Sequence, residues 1–191
     1  AGGAKVSTKL DLLGNLIADA QLAATAGLEN GAAQIAFMNP DGIRAEVAPD
    51  KDGQVTFGSV FAAQPFGNTL ITKTLTGKQI LEVLEQQLNN PDWYRILSPS
   101  SGFRFGYDLS RPIGQRVLFA TLNGVPLDIS APYRVTVSDF LSNGGDGFSV
   151  FKDGTNAAVG PTDLEAFMAW LSRGGVTALP ALDRVENKTP Q

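Results

Sequence analysis

A chain of 191 residues is long enough to bury one sizeable core, and 43% hydrophobic with 18% charged residues describes a folded protein rather than a disordered one. A net charge of −4, with no run of Lys or Arg, leaves no electrostatic footprint for nucleic acid. With no histidine, the chain cannot build a histidine-liganded zinc site, a serine-type triad or a histidine-rich dimetal centre, and its lack of cysteine is compatible with export without requiring it. No apolar run approaches the roughly 20 residues that span a bilayer, and the opening residues do not read as a secretory leader.

In chain order, Lys9 to Leu28 reads as a helix: Leu12, Leu13, Leu16, Ile17, Ala20, Ala23 and Ala24 fall on one stripe, and Gly27 stands where a stop is expected. Residues Gln34 to Met38 read as a short buried strand that exits into a turn, Asn39 to Arg44. Thr56 is placed to cap a short helix that ends before Pro65, and Gln64-Pro65-Phe66-Gly67-Asn68 is a glycine-containing corner carrying an aromatic. Thr69 to Leu75 is β-branched and reads as a strand. The stretch Lys78 to Leu88 reads as a helix closed by Pro91, with Ile80, Leu81, Leu84 and Leu88 on one face. Phe103–Tyr107 and Val117–Leu122 read as strands, and Asn123-Gly124 as a hairpin turn. Thr162 to Arg173 reads as an amphipathic helix capped by Thr162 or Asp163, with Gly174-Gly175 as its stop, followed by a polar tail. The pattern predicts a single α+β domain over 1–191, a mixed sheet with packed helices.

The most informative stretch is Asp139 to Phe148. The preceding segment alternates, with Tyr133, Val135 and Val137 on one side and Arg134, Thr136 and Ser138 on the other, which predicts a half-buried strand. That strand delivers a loop holding Gly144, Gly145 and Gly147, flanked by Phe140 and Asp146. Such a loop serves either as a tight turn in which Asp146 caps its own backbone, or as a cradle with a flat wall and an acceptor. Phe66 and Phe140 each sit beside a glycine corner at a strand end, so they are candidates to sandwich a flat ring, or else core residues. In the first reading Asp146 accepts from a diol, Arg44 meets ribose or phosphate, and Asn39 or Asn68 reads a base edge.

Four motifs carry a more specific signal: Gly14-Asn15-Leu16-Ile17-Ala18-Asp19-Ala20, then Met38-Asn39-Pro40-Asp41-Gly42-Ile43-Arg44, then Gln64-Pro65-Phe66-Gly67-Asn68-Thr69-Leu70, then Asp139 to Phe148. In this order they resemble the C-terminal, substrate-binding domain of the 5′-nucleotidase family. The resemblance implies that Phe66 and Phe140 stack on the two faces of a base. It implies that Asp146, in the loop with Gly144, holds ribose hydroxyls, that Arg44 lies near ribose and phosphate, that Asn39 lies near the base, and that Asn68 touches the base as in some members. Two positions depart from the family pattern. Asp41 stands where glycine is usual, and only Lys9 stands where an additional arginine is usual, giving a point charge without a bidentate fork.

The resemblance further implies that catalysis belongs to an N-terminal metallophosphatase domain holding a divalent metal pair, which this chain does not contain. On that reading the chain has no catalytic residue and no cofactor of its own, and is not an enzyme alone. It is the specificity half of a 5′-nucleotidase that is extracellular, in the cell wall or periplasmic, with nucleotides and that N-terminal domain as partners, and with no nucleic acid and no membrane span. Relatives acting on 2′,3′-cyclic nucleotides or UDP-sugars, and a non-catalytic binding module, are the alternatives.

Overall fold

In the computed structural model, which describes residues 8–48, 50–52, 54–90, 94–173 and 180–190, the chain folds into two sheets with helices packed on them. The side chains of residues 8–11 are outside that description, as are Pro91 and Gly174-Gly175, which the sequence offers as helix stops. Five α-helices, α1 (Thr8–Thr25), α2 (Phe57–Ala63), α3 (Gly77–Gln86), α4 (Asp139–Ser142) and α5 (Asp163–Ser172), accompany nine strands among the described residues. Thr56, Thr76 and Thr162 start α2, α3 and α5, each accepting a hydrogen bond from a backbone N–H three residues on. Gln79 and Glu165 complete capping boxes on the last two.

The strands are β1 (Ile35–Met38), β2 (Thr69–Thr76), β3 (Ser98–Pro99), β4 (Phe103–Tyr107), β5 (Val117–Leu122), β6 (Val125–Pro126), β7 (Pro132–Ser138), β8 (Thr155–Thr162) and β9 (Val185–Asn187). They form a mixed five-stranded sheet, order β3-β1-β7-β2-β8, and a four-stranded sheet, order β6-β5-β4-β9. Asn123 and Gly124 turn β5 into β6 with φ of 52° and 79°, as a hairpin of this type demands. The polar tail is not wholly irregular: β9 runs parallel to β4, with Phe105 opposite Val185.

One core lies between the two sheets and α3, built from Ile35, Phe37, Leu84, Phe103, Phe105, Val135 and their neighbours. A second lies on the other face of the five-stranded sheet, where Leu13 and Ile17 of α1 meet Met38, Val60 and Phe167. Because both faces are covered, β7 is not the half-buried strand its alternation predicts. Thr136 and Ser138, expected on a solvated face, are 0% and 5% exposed. Thr136 is tolerated there because its hydroxyl bonds those of Thr25 at 2.8 Å and Thr72 at 2.7 Å, tying α1 to two strands. Among the described residues no helix is long and apolar enough to cross a membrane.

Candidate functional site

Strand directions decide where the motif loops meet. β7 runs parallel to β1, pairing Ile35 with Val135, so both strands finish at the same end of the sheet. β2 is antiparallel to β7 and begins at that end, with Leu70 opposite Ser138. β8 is antiparallel to β2 and finishes there too, with Thr69 opposite Thr162. The loop after β1 with Asn39, Asp41 and Arg44, the corner before β2 with Phe66 and Asn68, the glycine loop after β7, and the start of α5 therefore project from one sheet end.

Both aromatic rings are on the surface, Phe66 57% and Phe140 46% exposed, so neither is core packing. Phe140 has a defined seat: a Cβ built on Gly145 would fall 2.5 Å from its ring, so the ring rests against bare backbone. Gly144 adopts φ +83°, and Asp146 itself adopts φ +56°, a left-handed conformation that Asp accepts more readily than most residues. The Asp146 carboxylate is not a cap for its own turn. Its Oδ2 accepts from Asn39 Nδ2 at 2.7 Å, and its Oδ1 lies 3.7 Å from Arg95 Nε.

Arg95 is a site residue that sequence reasoning missed. Its Nε stands 2.5 Å from Asp41 Oδ2, and an Nη donates to the Asp146 carbonyl at 3.5 Å. The guanidinium thus bridges the loop after β1 and the glycine loop, with Asp41 as its anchor. No signal in the sequence marks Arg95, which lies in an irregular stretch before β3 without periodicity or motif.

The other expected residues divide. Asn39 is 4% exposed and commits its amino group to Asp146, leaving its Oδ1 as the atom that could meet a ligand. Arg44 is exposed, its guanidinium reaching the Asp41 carbonyl at 3.4 Å, while its backbone N–H bonds Ala63 at the end of α2. Lys9 lies in the first turn of α1, with its side chain outside the described residues. Asn68 Nδ2 donates to Asp163 Oδ2 at 3.3 Å, and the Asp163 backbone N–H returns a bond to the Asn68 carbonyl. Asp163 is 3% exposed; burial pushes its carboxyl above the ordinary carboxylate range, and Asp139 next to Phe140 pushes the same way.

The remaining motif residues are structural. Gly14 lets α1 approach β3, since a Cβ there would fall 2.2 Å from Ser98 Oγ. Asp19 takes a fork of two 2.8 Å bonds from Arg184, which also donates to the carbonyls of Asn15 and Pro99. Among the described residues no group of three or more His, Cys, Asp or Glu side chains could hold a metal ion.

Comparison with known proteins identifies the family and fold of the chain. The family described as "5′-nucleotidase, C-terminal domain" matches residues 3–153. The trifunctional nucleotide phosphoesterase protein YfkN of Bacillus subtilis is 39% identical over 185 residues, 93% of this chain but 12% of that protein. A cell wall protein of Listeria monocytogenes is 33% identical over 175 residues, covering 87% of this chain and 22% of its own length. Among solved structures, a 5′-nucleotidase precursor from Thermus thermophilus superposes with a TM-score of 0.80 at 40% identity, over 92% of this chain and 35% of that one. The chain therefore spans about a third or less of the length of these relatives.

Proposed function

Since this chain belongs to the 5′-nucleotidase C-terminal domain family, we propose that it binds the nucleoside part of a nucleotide at the shared sheet end and serves as the specificity half of a longer, exported phosphohydrolase. The base lies between Phe66 and Phe140, the ribose diol donates to Asp146, and Arg44 faces the ribose and phosphate. Asn68 meets the base edge, and Gly144 gives the loop its left-handed entry. The observation that carries this reading is the pair of large rings left exposed on neighbouring loops of one sheet end, one seated on glycine backbone, beside a carboxylate already oriented by Asn39 and Arg95. Exposed aromatics have a hydration cost that a stacked base removes.

Hydrolysis belongs to the N-terminal metallophosphatase domain that accompanies this domain in the family, where a metal pair activates water. This chain's own residues bind and orient the nucleotide. Likeness to a cell wall protein and to a nucleotidase precursor supports export.

The test is an NMR titration of the chain with adenosine, 2′,3′-dideoxyadenosine and AMP. Shifts confined to the loops bearing Phe66, Asn68, Phe140 and Asp146, weaker with the dideoxynucleoside, are expected. Phe140→Ala should cost about 1–3 kcal/mol of binding and less than about 1 kcal/mol of stability, against the ~3–5 kcal/mol of a buried Phe. Saturating adenosine with no shift at this end of the sheet overturns the reading.

A further inference from the structure

Resting on that binding site, the geometry points to Asp163 as a positioning residue that sets base preference: by holding the Asn68 amino group it turns the Asn68 carbonyl oxygen toward the base, selecting bases that carry an exocyclic amino group.

Asp163 is the first residue of α5, just after the Thr162 cap, and each of its carboxylate oxygens accepts one hydrogen bond. Oδ1 accepts from the Leu164 backbone N–H at 2.7 Å, and Oδ2 faces Asn68 at 3.3 Å. In its ionised form the Asp163 carboxylate only accepts, so the atom Asn68 presents to it is Nδ2 and not Oδ1. The Asn68 backbone is fixed as well, because β2 begins at Thr69 and the Asn68 carbonyl accepts from the Asp163 N–H at 2.8 Å. With both ends held, the amide plane has one orientation.

The opposite edge of that amide is left for a ligand. Asn68 is partly exposed, and among the described residues no protein group donates to its Oδ1. Its place suits the role: Asn68 is two residues beyond Phe66, and Asp163 feels the charge of Asp139, the residue before Phe140. Asn68 precedes β2 at the sheet end from which both aromatic corners project, and there we place its amide at the edge of a sandwiched base. An acceptor there matches the 6-amino group of adenine or the 4-amino group of cytosine. A 6-keto or 4-keto oxygen in the same place would meet another lone pair.

Asp163→Asn tests this, because it inverts the prediction rather than abolishing binding. The new side chain keeps an Oδ1 for Leu164 N–H and turns an amino group toward Asn68. Asn68 must then rotate to offer its oxygen to Asn at 163 and its amino group to the base. The protein and its Asp163→Asn and Asn68→Ala variants are titrated at pH 7.5 with adenosine, inosine and purine riboside, which has the same ring with no 6-substituent. Unaltered protein should bind adenosine about tenfold more tightly than the other two, about 1.4 kcal/mol. Asp163→Asn should reverse the order of adenosine and inosine, and Asn68→Ala should bring all three together while retaining the shifts from ring stacking. A purely structural Asp163 would weaken all ligands alike and leave their order unchanged.

Equal affinity for the three nucleosides in the unaltered protein, or an order untouched by both variants, overturns the proposal while leaving the nucleoside site standing. No binding of any nucleoside overturns the site itself.

Discussion

At the scale of single residues, the site is defined by what its polar atoms are already doing. Asp146 is tied by Asn39 and steadied by Arg95, so a diol would meet a carboxylate that needs little further ordering. Asp41 gains a role in this light, because its carboxylate captures Arg95. Phe140 depends on the absence of a side chain at Gly145. Gly145→Ala should displace the ring and cost about 1 kcal/mol or more of nucleoside binding with a smaller loss of stability, as measured by titration and urea unfolding side by side. Binding equal to the unaltered protein would mean that the seat does not matter.

At the scale of elements, the loops are held by groups well away from any ligand. Lys73 on β2 donates its amine to the carbonyls of Ser142 at 3.1 Å and Phe151 at 3.0 Å, stapling the two ends of the glycine loop to the sheet. Desolvation lowers its pKa from the ordinary lysine value, with Asp153 acting in the opposite direction. The C-terminal segment is fixed by Arg184, whose fork to Asp19 is 11% exposed on both sides and brings β9 alongside α1 and β3. Arg184→Ala leaves the partly buried Asp19 with only the Ser101 N–H as a polar partner among the described residues. The expected loss is about 3 kcal/mol in urea unfolding. A loss under about 0.5 kcal/mol would show that the tail is an ornament on an independently stable sheet.

At the scale of the whole molecule, one buried acid couples the site to stability. The folded pKa of Asp163 is raised by desolvation and by Asp139, while bonds from Leu164 and Asn68 act against the rise. The fold thus binds this proton more tightly than the unfolded chain does. The stability tied to it is fully present below the unfolded carboxylate value of about 3.9, and is lost as pH climbs through the raised folded value. Relative to the unaltered protein, Asp163→Asn should therefore gain stability as pH is raised from about 3 to about 7. Parallel stability curves for the two proteins across that window would contradict a raised pKa. The two cores divide the labour at this scale: one joins the sheets through aromatics, and the other joins α1, α2 and α5 to the sheet whose end carries the site.

The sequence by itself determined the local elements wherever one physical cause was sufficient. Threonine caps, the Asn123-Gly124 turn, the apolar stripes of α1 and α3, and the strands at β1, β2, β4, β5 and β7 are set by hydrogen-bonding chemistry and spacing within a few residues. It also placed Phe66 and Phe140 beside glycine corners, where the structure leaves both exposed. Tertiary structure decided what depends on pairing at long range. β3, β8 and β9 were silent because they are too short or too polar for periodicity to register, and exist by pairing with β1, β2 and β4. Thr136 and Ser138 are buried because helices cover the second face, which alternation along one strand cannot reveal. Arg95 and Asp163 enter the site for the same reason: 51 and 95 residues separate them from Asp146 and Asn68, and only the strand order brings those side chains within bonding distance.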